Sequence, residues 1–228
     1  MTISDRIKRY ELSSNGFLLL RGFIIIRVDG RAFHTFTRKF KKPFDNILIE
    51  SMVSAGERCA KEMSGFRLGY HQSDEFTFAI SDLESYESEM WFGGKIQKIA
   101  SISASMFTAY FNECLELDLQ ENMGSGVAMF DSRCFNVPVE DVANVFIWRQ
   151  RDWERNSIQM FSRNFFSHKE LMNKKTTDMH EMLHGIGENW ANLEPKLKNG
   201  TFITKDGKRI NEKLDYESIN KLLISENK

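Results

Sequence analysis

The chain has 228 residues, 31 of them Lys or Arg and 32 Asp or Glu, and its net charge of −1 leaves no global field to advertise a nucleic-acid partner. That length buries a sizeable core in one domain or one domain with an elaboration, and three isolated cysteines (Cys59, Cys114, Cys134) exclude both a disulfide framework and a cysteine zinc site. Residues 1–15 are polar, and the apolar run 17–28 is broken by Arg21-Gly22 and falls short of the ~20 residues a bilayer needs, so a cytoplasmic protein without a membrane partner is expected.

Residues 23–28 read as a buried strand, a short β-branched run bounded by glycines. Asp45 is placed to cap a helix through "NILIESMVSAGERCAKEM", in which Ile47, Ile49, Met52, Val53 and Ala60 form one broad apolar face. "FRLGYHQ" and "EFTFAIS" alternate around Ser73-Asp74 and predict a hairpin with Phe76, Phe78 and Ile80 on one face. From Gly94 to Leu117 the spacing of Ile96, Ile99, Ile102, Met106, Tyr110 and Leu117 predicts a long helix, and "VAMFDSRCF" a fourth strand ending near Pro138. Strand, helix, hairpin, helix, strand is the split βαβ order, so the expected class is α+β: a palm-like, ferredoxin-like antiparallel sheet backed by two helices on one face.

Residues 139–161 contain neither glycine nor proline and predict a helix. Thr176 or Thr177 would cap a short helix through "DMHEMLH", closed at Gly185. "TFITKDGKRIN" predicts a small hairpin turning at Asp206-Gly207, and the charged tail from Lys213 a final helix. The expected organisation is a catalytic domain, 1–138, with a dependent helical and hairpin part, 139–228, packed on it.

In the split βαβ order, strand one and the hairpin are sheet neighbours, so Asp29 and Asp74 would meet at one edge. Two close carboxylates repel unless one stays protonated or a divalent cation lies between them. Hard oxygen ligands suit Mg²⁺, and a pair of such ions suits phosphoryl chemistry. Equally, Asp-Gly after a strand and Ser-Asp in a hairpin are ordinary turn chemistry. From these residues alone turn chemistry is the stronger reading, with the metal site open beside it.

"RVDGRAFHTF", "KKPFD", "HQSDEFTF", "FDSRCFNVP" and "WRQRDWERN" occur in this order across residues 24–156. Their order and spacing resemble the histidine-tRNA guanylyltransferase family, the 3′-to-5′ nucleotide-adding polymerases. The resemblance implies a palm fold, ATP and GTP or another nucleoside triphosphate as substrates, tRNA as partner and a homotetramer. It implies two Mg²⁺ ions held by the carboxylates of Asp29 and Asp74 and the carbonyl of Gly30, with Asp29 and Asp74 catalytic. By the same resemblance Asp29, Gly30, Arg31, Ala32, Phe33, His34, Ser73 and Asp74 line the triphosphate, His34 and Lys42 handle the activating nucleotide, and Asn156 contacts a second one. Arg31 and the backbone amides of its turn are suited to phosphate oxygens.

Ala32 stands where the family often has glycine, and Phe44 interrupts the usual Lys-Pro-Asn-Asp run. Asn156-Ser157-Ile158-Gln159 replaces the eukaryotic Asn-Asn-Leu-Tyr-Asn run. With "FFSHKELMNKKTTDMHEMLH", this looks like the bacterial, archaeal and phage guanylyltransferase-like branch. That branch implies template-dependent repair of the tRNA 5′ end. The alternatives are untemplated guanosine addition to histidine tRNA, or a palm-fold nucleotidyl cyclase.

Arg149, Arg151, Arg155, Arg163, Lys169, Lys174 and Lys175 are interleaved with aromatic residues and form a candidate tRNA-binding group beside Arg38, Lys39, Lys41 and Lys42. "HEMLH" at residues 180–184 matches the zinc pattern H-E-x-x-H, but Trp190 occupies the third-ligand position of its longer form and Gly185 ends the helix early. An amphipathic helix with two ordinary histidines is the expectation there.

Overall fold

The structure, a computed structural model, describes residues 1–12, 14–118 and 126–224, for residues 117 and 118 the backbone alone. The Leu117 end of the expected helix stripe thus lies outside the described side chains. In chain order come α1 (Ile3–Leu12), β1 (Phe23–Gly30), the single turn α2 (Phe33–Phe36), α3 (Asn46–Glu62), β2 (Phe66–Gln72) and β3 (Glu75–Ser81). α4 (Ile96–Asp118), β4 (Phe130–Val137), α5 (Val142–Ser162), α6 (His168–Leu171) and α7 (Thr176–Gly185) follow, then α8 (Pro195–Asn199), β5 (Thr201–Thr204), β6 (Arg209–Ile210) and α9 (Tyr216–Ile224).

The strands form one antiparallel sheet in the order β4-β1-β3-β2-β5-β6. Its first four strands have the split βαβ order expected from the sequence. The Asp206-Gly207 hairpin forms as expected, with Gly207 at φ 80°, and β5 extends the same sheet by pairing Tyr70 with Phe202.

Asp45 caps α3, its carboxylate accepting from the backbone N–H of Ile47 at 2.9 Å and Leu48 at 3.3 Å. At α7 the cap differs from expectation. Thr176 is the first helical residue, and the cap position is Lys175, whose N–H donates to the Asp178 carboxylate at 2.9 Å. An anionic acceptor reaching back to a helix N-terminus is favoured over a neutral hydroxyl there.

The sheet is covered on both faces. Ile24, Ile26, Val28, Phe76, Phe78 and Ile80 pack against α3 and α4 through Met52, Val53, Ile99, Phe107 and Phe111. Phe23, Ile25, Leu68, Tyr70 and Ala79 pack against α5 and α9 through Val142, Phe146, Ile219 and Leu223. Two helices on one face, the sequence expectation, is therefore half of the architecture. A strand apolar at successive positions, as residues 23–26 are, has to be buried on both sides.

Candidate active site

β1 ends in Asp29-Gly30 because the chain turns sharply there. A Cβ on Gly30 would lie 2.4 Å from Cδ2 of Phe33, and that ring is fixed by Phe111 and Phe130 at centroid distances of 5.8 and 5.6 Å. Ala32 takes the left-handed conformation (φ 50°, ψ 36°) just before α2. Ser73, at φ 54°, makes the β2–β3 turn. The N–H of Gly30 donates to the carbonyl of Asp74 at 3.0 Å, so the end of β1 is bonded to that turn and the two aspartates become neighbours.

Register adds a third carboxylate. Asp29 pairs with Glu75 of β3 on one side and Asp131 of β4 on the other, which sets Asp131, Asp29 and Glu75 in one row on the α5 face of the sheet. Glu75 is buried, yet neutralised by an ion pair with Arg27 and by Nε of Arg149 at 2.7 Å. Asp29 has Arg133 at 3.8 Å, which Asp131 shares at 3.1 Å. Burial first, then the charges of Glu75 and Asp131, raise the Asp29 pKa above its ordinary value, with Arg133 and Arg27 partly opposing. Asp74 is raised by burial and then by the charge of Asp29.

A divalent cation would relieve this repulsion, and the donor set fits one. Two carboxylates and the Gly30 carbonyl are hard oxygens, which match Mg²⁺. Among the described residues no group of three His, Cys, Asp or Glu side chains is arranged to hold a metal. The remaining positions of an octahedral ion therefore fall to water or substrate phosphate.

Beside Asp74 opens a cleft of about 550 Å³ whose lining includes Phe33, His34, Thr37, Arg38, Lys42, Ser73, Met160, Arg163 and Asn164. Of the residues assigned by sequence to the nucleotide, Phe33, His34, Lys42, Ser73 and Asp74 are brought together here. Lys42 is steadied by its Nζ donating to the Thr37 carbonyl at 3.0 Å. The expectation that the backbone amides of the Arg31 turn cradle phosphate is corrected for two of them. The Gly30 N–H is bonded to Asp74, and the Arg31 N–H donates to the Met129 carbonyl at 2.8 Å. The Arg31 side chain is exposed, its Nη1 3.9 Å from the Met129 sulfur. Asn156 is half-buried one turn before Met160, and its amide donates to Asp152 at 3.3 Å.

Arg149 is a second correction. Its place in the sequence groups it with the tRNA-contacting arginines, but it is 5% exposed and bound to Glu75 and to Asp152 at 3.0 Å, so no charge remains for RNA phosphate. Arg151, Arg155, Arg163, Lys169, Lys174 and Lys175 are exposed, with Arg155 paired to Asp152. At the H-E-x-x-H match, His180 lies edge-on to Trp190 at 5.6 Å, and the Trp190 indole N–H donates to Ser157 at 2.9 Å. Sequence reasoning missed Asp131, Arg133, Met160 and Asn164. Asp131 sits inside a strand whose alternation is legible, but only the register puts it opposite Asp29.

Residues 4–138 match the family model described as tRNAHis guanylyltransferase (Thg1). A solved bacterial tRNA(His) guanylyltransferase (Thg1)-like protein in complex with ATP is 36% identical, superposes with a TM-score of 0.93, and is matched over 98% of this chain and 100% of its own. A second bacterial protein of that description, in complex with GTP, is 34% identical with a TM-score of 0.83, over 98% and 99% of the two chains. The tRNA(His) guanylyltransferase of Schizosaccharomyces pombe is 28% identical over 89% of this chain and 80% of its own length.

Proposed function

The chain belongs to the tRNAHis guanylyltransferase family and is a nucleotidyltransferase, and from that premise we propose that it adds nucleotides to the 5′ end of tRNA in the 3′-to-5′ direction, as template-dependent repair. The observation that carries this reading is the bonding of the Asp29-Gly30 strand end to the Asp74 turn beside a cleft lined by His34, Arg38, Lys42 and Arg163. The run from Asn156 to Gln159 and the likeness to the bacterial Thg1-like proteins support repair over obligatory guanosine addition.

In this reading residues 1–138 are the catalytic palm, and residues 139–228 pack on it and contact RNA. The 5′-monophosphate of tRNA attacks the α-phosphorus of ATP, and pyrophosphate leaves. The 3′-hydroxyl of an incoming nucleoside triphosphate then attacks the activated 5′-phosphorus, and AMP leaves. Asp29, Asp74 and the Gly30 carbonyl would hold two Mg²⁺ ions, which when bound lower the pKa of the attacking hydroxyl and neutralise leaving-group charge. His34, Arg38 and Lys42 orient the triphosphate from the α2 side of the cleft, and Arg163 closes it from the end of α5. Positioning and charge neutralisation suffice for such a transfer, so no nucleophilic side chain is required.

The test supplies ATP, Mg²⁺, four nucleoside triphosphates and a 5′-monophosphorylated tRNA lacking its first nucleotide, and resolves the 5′ end. Growth that follows the opposing 3′ strand is expected. A single guanosine added only to histidine tRNA, whatever the opposing base, would replace repair by guanosine addition, and no growth would overturn both.

A further inference from the structure

A cavity of about 420 Å³ lies at the end of the sheet opposite the catalytic edge, and Phe23, Arg67, Ser81, Glu84, Val139 and Leu223 are among its lining residues. Phe23 pairs with Ser81 in the register that pairs Asp29 with Glu75, so about 20 Å of strand, at ~3.3 Å per residue, separates the cavity from Asp29. One wall is the sheet and another is the last turn of α9.

Arg67 sets the chemistry of this cavity. The register of β2 against β3 shifts between Phe66 and Leu68, and the extra residue is Arg67. It is 6% exposed, so its charge is nearly withdrawn from water. A buried cation normally has a close carboxylate and partners for its N–H groups. Among the described residues the ion-pair partner of Arg67 is Glu84 at 3.6 Å, too long for a hydrogen bond. Glu84 is itself exposed and held by Nζ of Lys205 at 3.0 Å. Neighbouring Asp82 is engaged with the backbone, accepting from the N–H of Arg21 at 2.8 Å and of Gly22 at 3.0 Å. Nε of Arg67 is enclosed without a partner, whereas its two terminal nitrogens are not enclosed in this way and can meet a ligand in the cavity. Ser81, 3% exposed, supplies a further donor. Its Oγ accepts from the Leu83 N–H at 3.2 Å, which leaves the hydroxyl hydrogen for another acceptor.

Charge and lining together select the ligand. Arg67 and Lys205 against Glu84 leave one positive charge at the wall, and a planar guanidinium matches a carboxylate in a two-point contact. Phe23, Leu83, Val139 and Leu223 make the rest of the lining apolar. The volume lies within the roughly 300–1,000 Å³ of small-ligand sites.

We propose that this cavity binds an organic monocarboxylate with an apolar body, its carboxylate on Arg67 and Ser81 and its hydrocarbon between the sheet and α9. The site is separate from the nucleotide cleft, and its occupant adds to the packing by which α9 covers the sheet.

Calorimetric titration of the full chain with octanoate tests it. One equivalent of octanoate binds and raises the thermal midpoint. Octan-1-ol, which keeps the body and lacks the charge, and propionate, five methylenes shorter, each bind at least about 10-fold more weakly. Arg67→Leu weakens octanoate binding about 10-fold and leaves the midpoint of the unliganded protein unchanged or higher, because an apolar residue replaces a poorly paired buried charge. Val139→Trp fills the cavity from its rim and gives the same loss without touching the arginine. ATP with Mg²⁺ binds both variants as it binds the parent chain and does not displace octanoate. Unchanged octanoate binding in Arg67→Leu, or in Val139→Trp should Arg67→Leu fail to fold by circular dichroism, would overturn the proposal. So would the absence of saturable octanoate binding, octan-1-ol binding as tightly, or displacement by ATP.

Discussion

At the scale of single residues, the site is held together against its own electrostatics. Asp29 and Asp74 are both raised above the ordinary carboxylate value, so the folded chain holds their protons more tightly than the unfolded chain does. The contribution of these two groups to the stability of the metal-free protein therefore falls as pH rises from about 4 through the raised values, and stays lower above them. In the proposed two-metal site, Mg²⁺ would offset this penalty only where the carboxylates are ionised. The thermal midpoint is accordingly expected to rise on Mg²⁺ addition at pH 7, to rise less at pH 4.5, and to fall back when EDTA removes the ion. Asp29→Asn relieves the repulsion and raises the metal-free midpoint while lowering nucleotide addition at least ~10³-fold. A gel-shift assay of that variant is expected to find tRNA binding unchanged, and normal turnover would remove Asp29 from the site. Ala32 poses a simpler case. Its left-handed backbone is strained for a residue with a Cβ, so Ala32→Gly stabilises by about 1 kcal/mol in urea titration, the relief outweighing the added freedom of the unfolded chain.

At the scale of elements, α5 does more than cover the sheet. Its buried stripe runs through Val142, Phe146, Arg149, Gln150, Trp153 and Ile158, and Arg149 reaches from it to Glu75, the residue after Asp74. Trp148 packs over the guanidinium groups of Arg27 and Arg149 at 5.1 and 4.5 Å, shielding the buried charges from solvent. Removing one partner of a buried pair leaves an uncompensated charge, so Arg149→Ala costs roughly 3 kcal/mol in urea denaturation. Arg151→Ala, on the exposed face of the helix, changes little by that measure. The position of Arg149 is legible in the sequence, since 146, 149, 150 and 153 share one helical phase. Charge alone suggests a surface role, and the buried partner that reverses that reading lies 74 residues earlier in the chain.

At the scale of the whole molecule, residues 139–224 complete the core. α5 and α9 supply the second face of the sheet, and β5 lengthens it beyond β2. Lys169 of α6, Lys174 and Lys175 ahead of α7, and Arg151 and Arg155 of α5 stay exposed. If they form the tRNA face, changing Lys169, Lys174 and Lys175 together to alanine weakens binding to all tRNAs alike. The salt dependence of binding would shallow by about 0.7–0.9 for each phosphate no longer neutralised, measured by filter binding at several salt concentrations. An unchanged salt slope would move the RNA face elsewhere.

The sequence by itself determined what depends on near neighbours in the chain. The Asp45 cap, the hairpin at Ser73-Asp74, the helix stripes and the Asp-Gly strand end all follow from local propensity, turn chemistry and periodicity. The ordered blocks carrying Asp29, His34, Lys42 and Asp74 belong to the same class, because each is a contiguous run. Only the tertiary structure decided which groups face one another. The register put Asp131 beside Asp29 and Glu75, and burial turned Arg149 from an RNA contact into a strut. Packing of α9 on the sheet brought Leu223 to the cavity shared with Arg67 and Ser81. Side chains from distant strands and helices meet according to strand register and helix packing, and a one-residue slip in either would have sent each of them to another face.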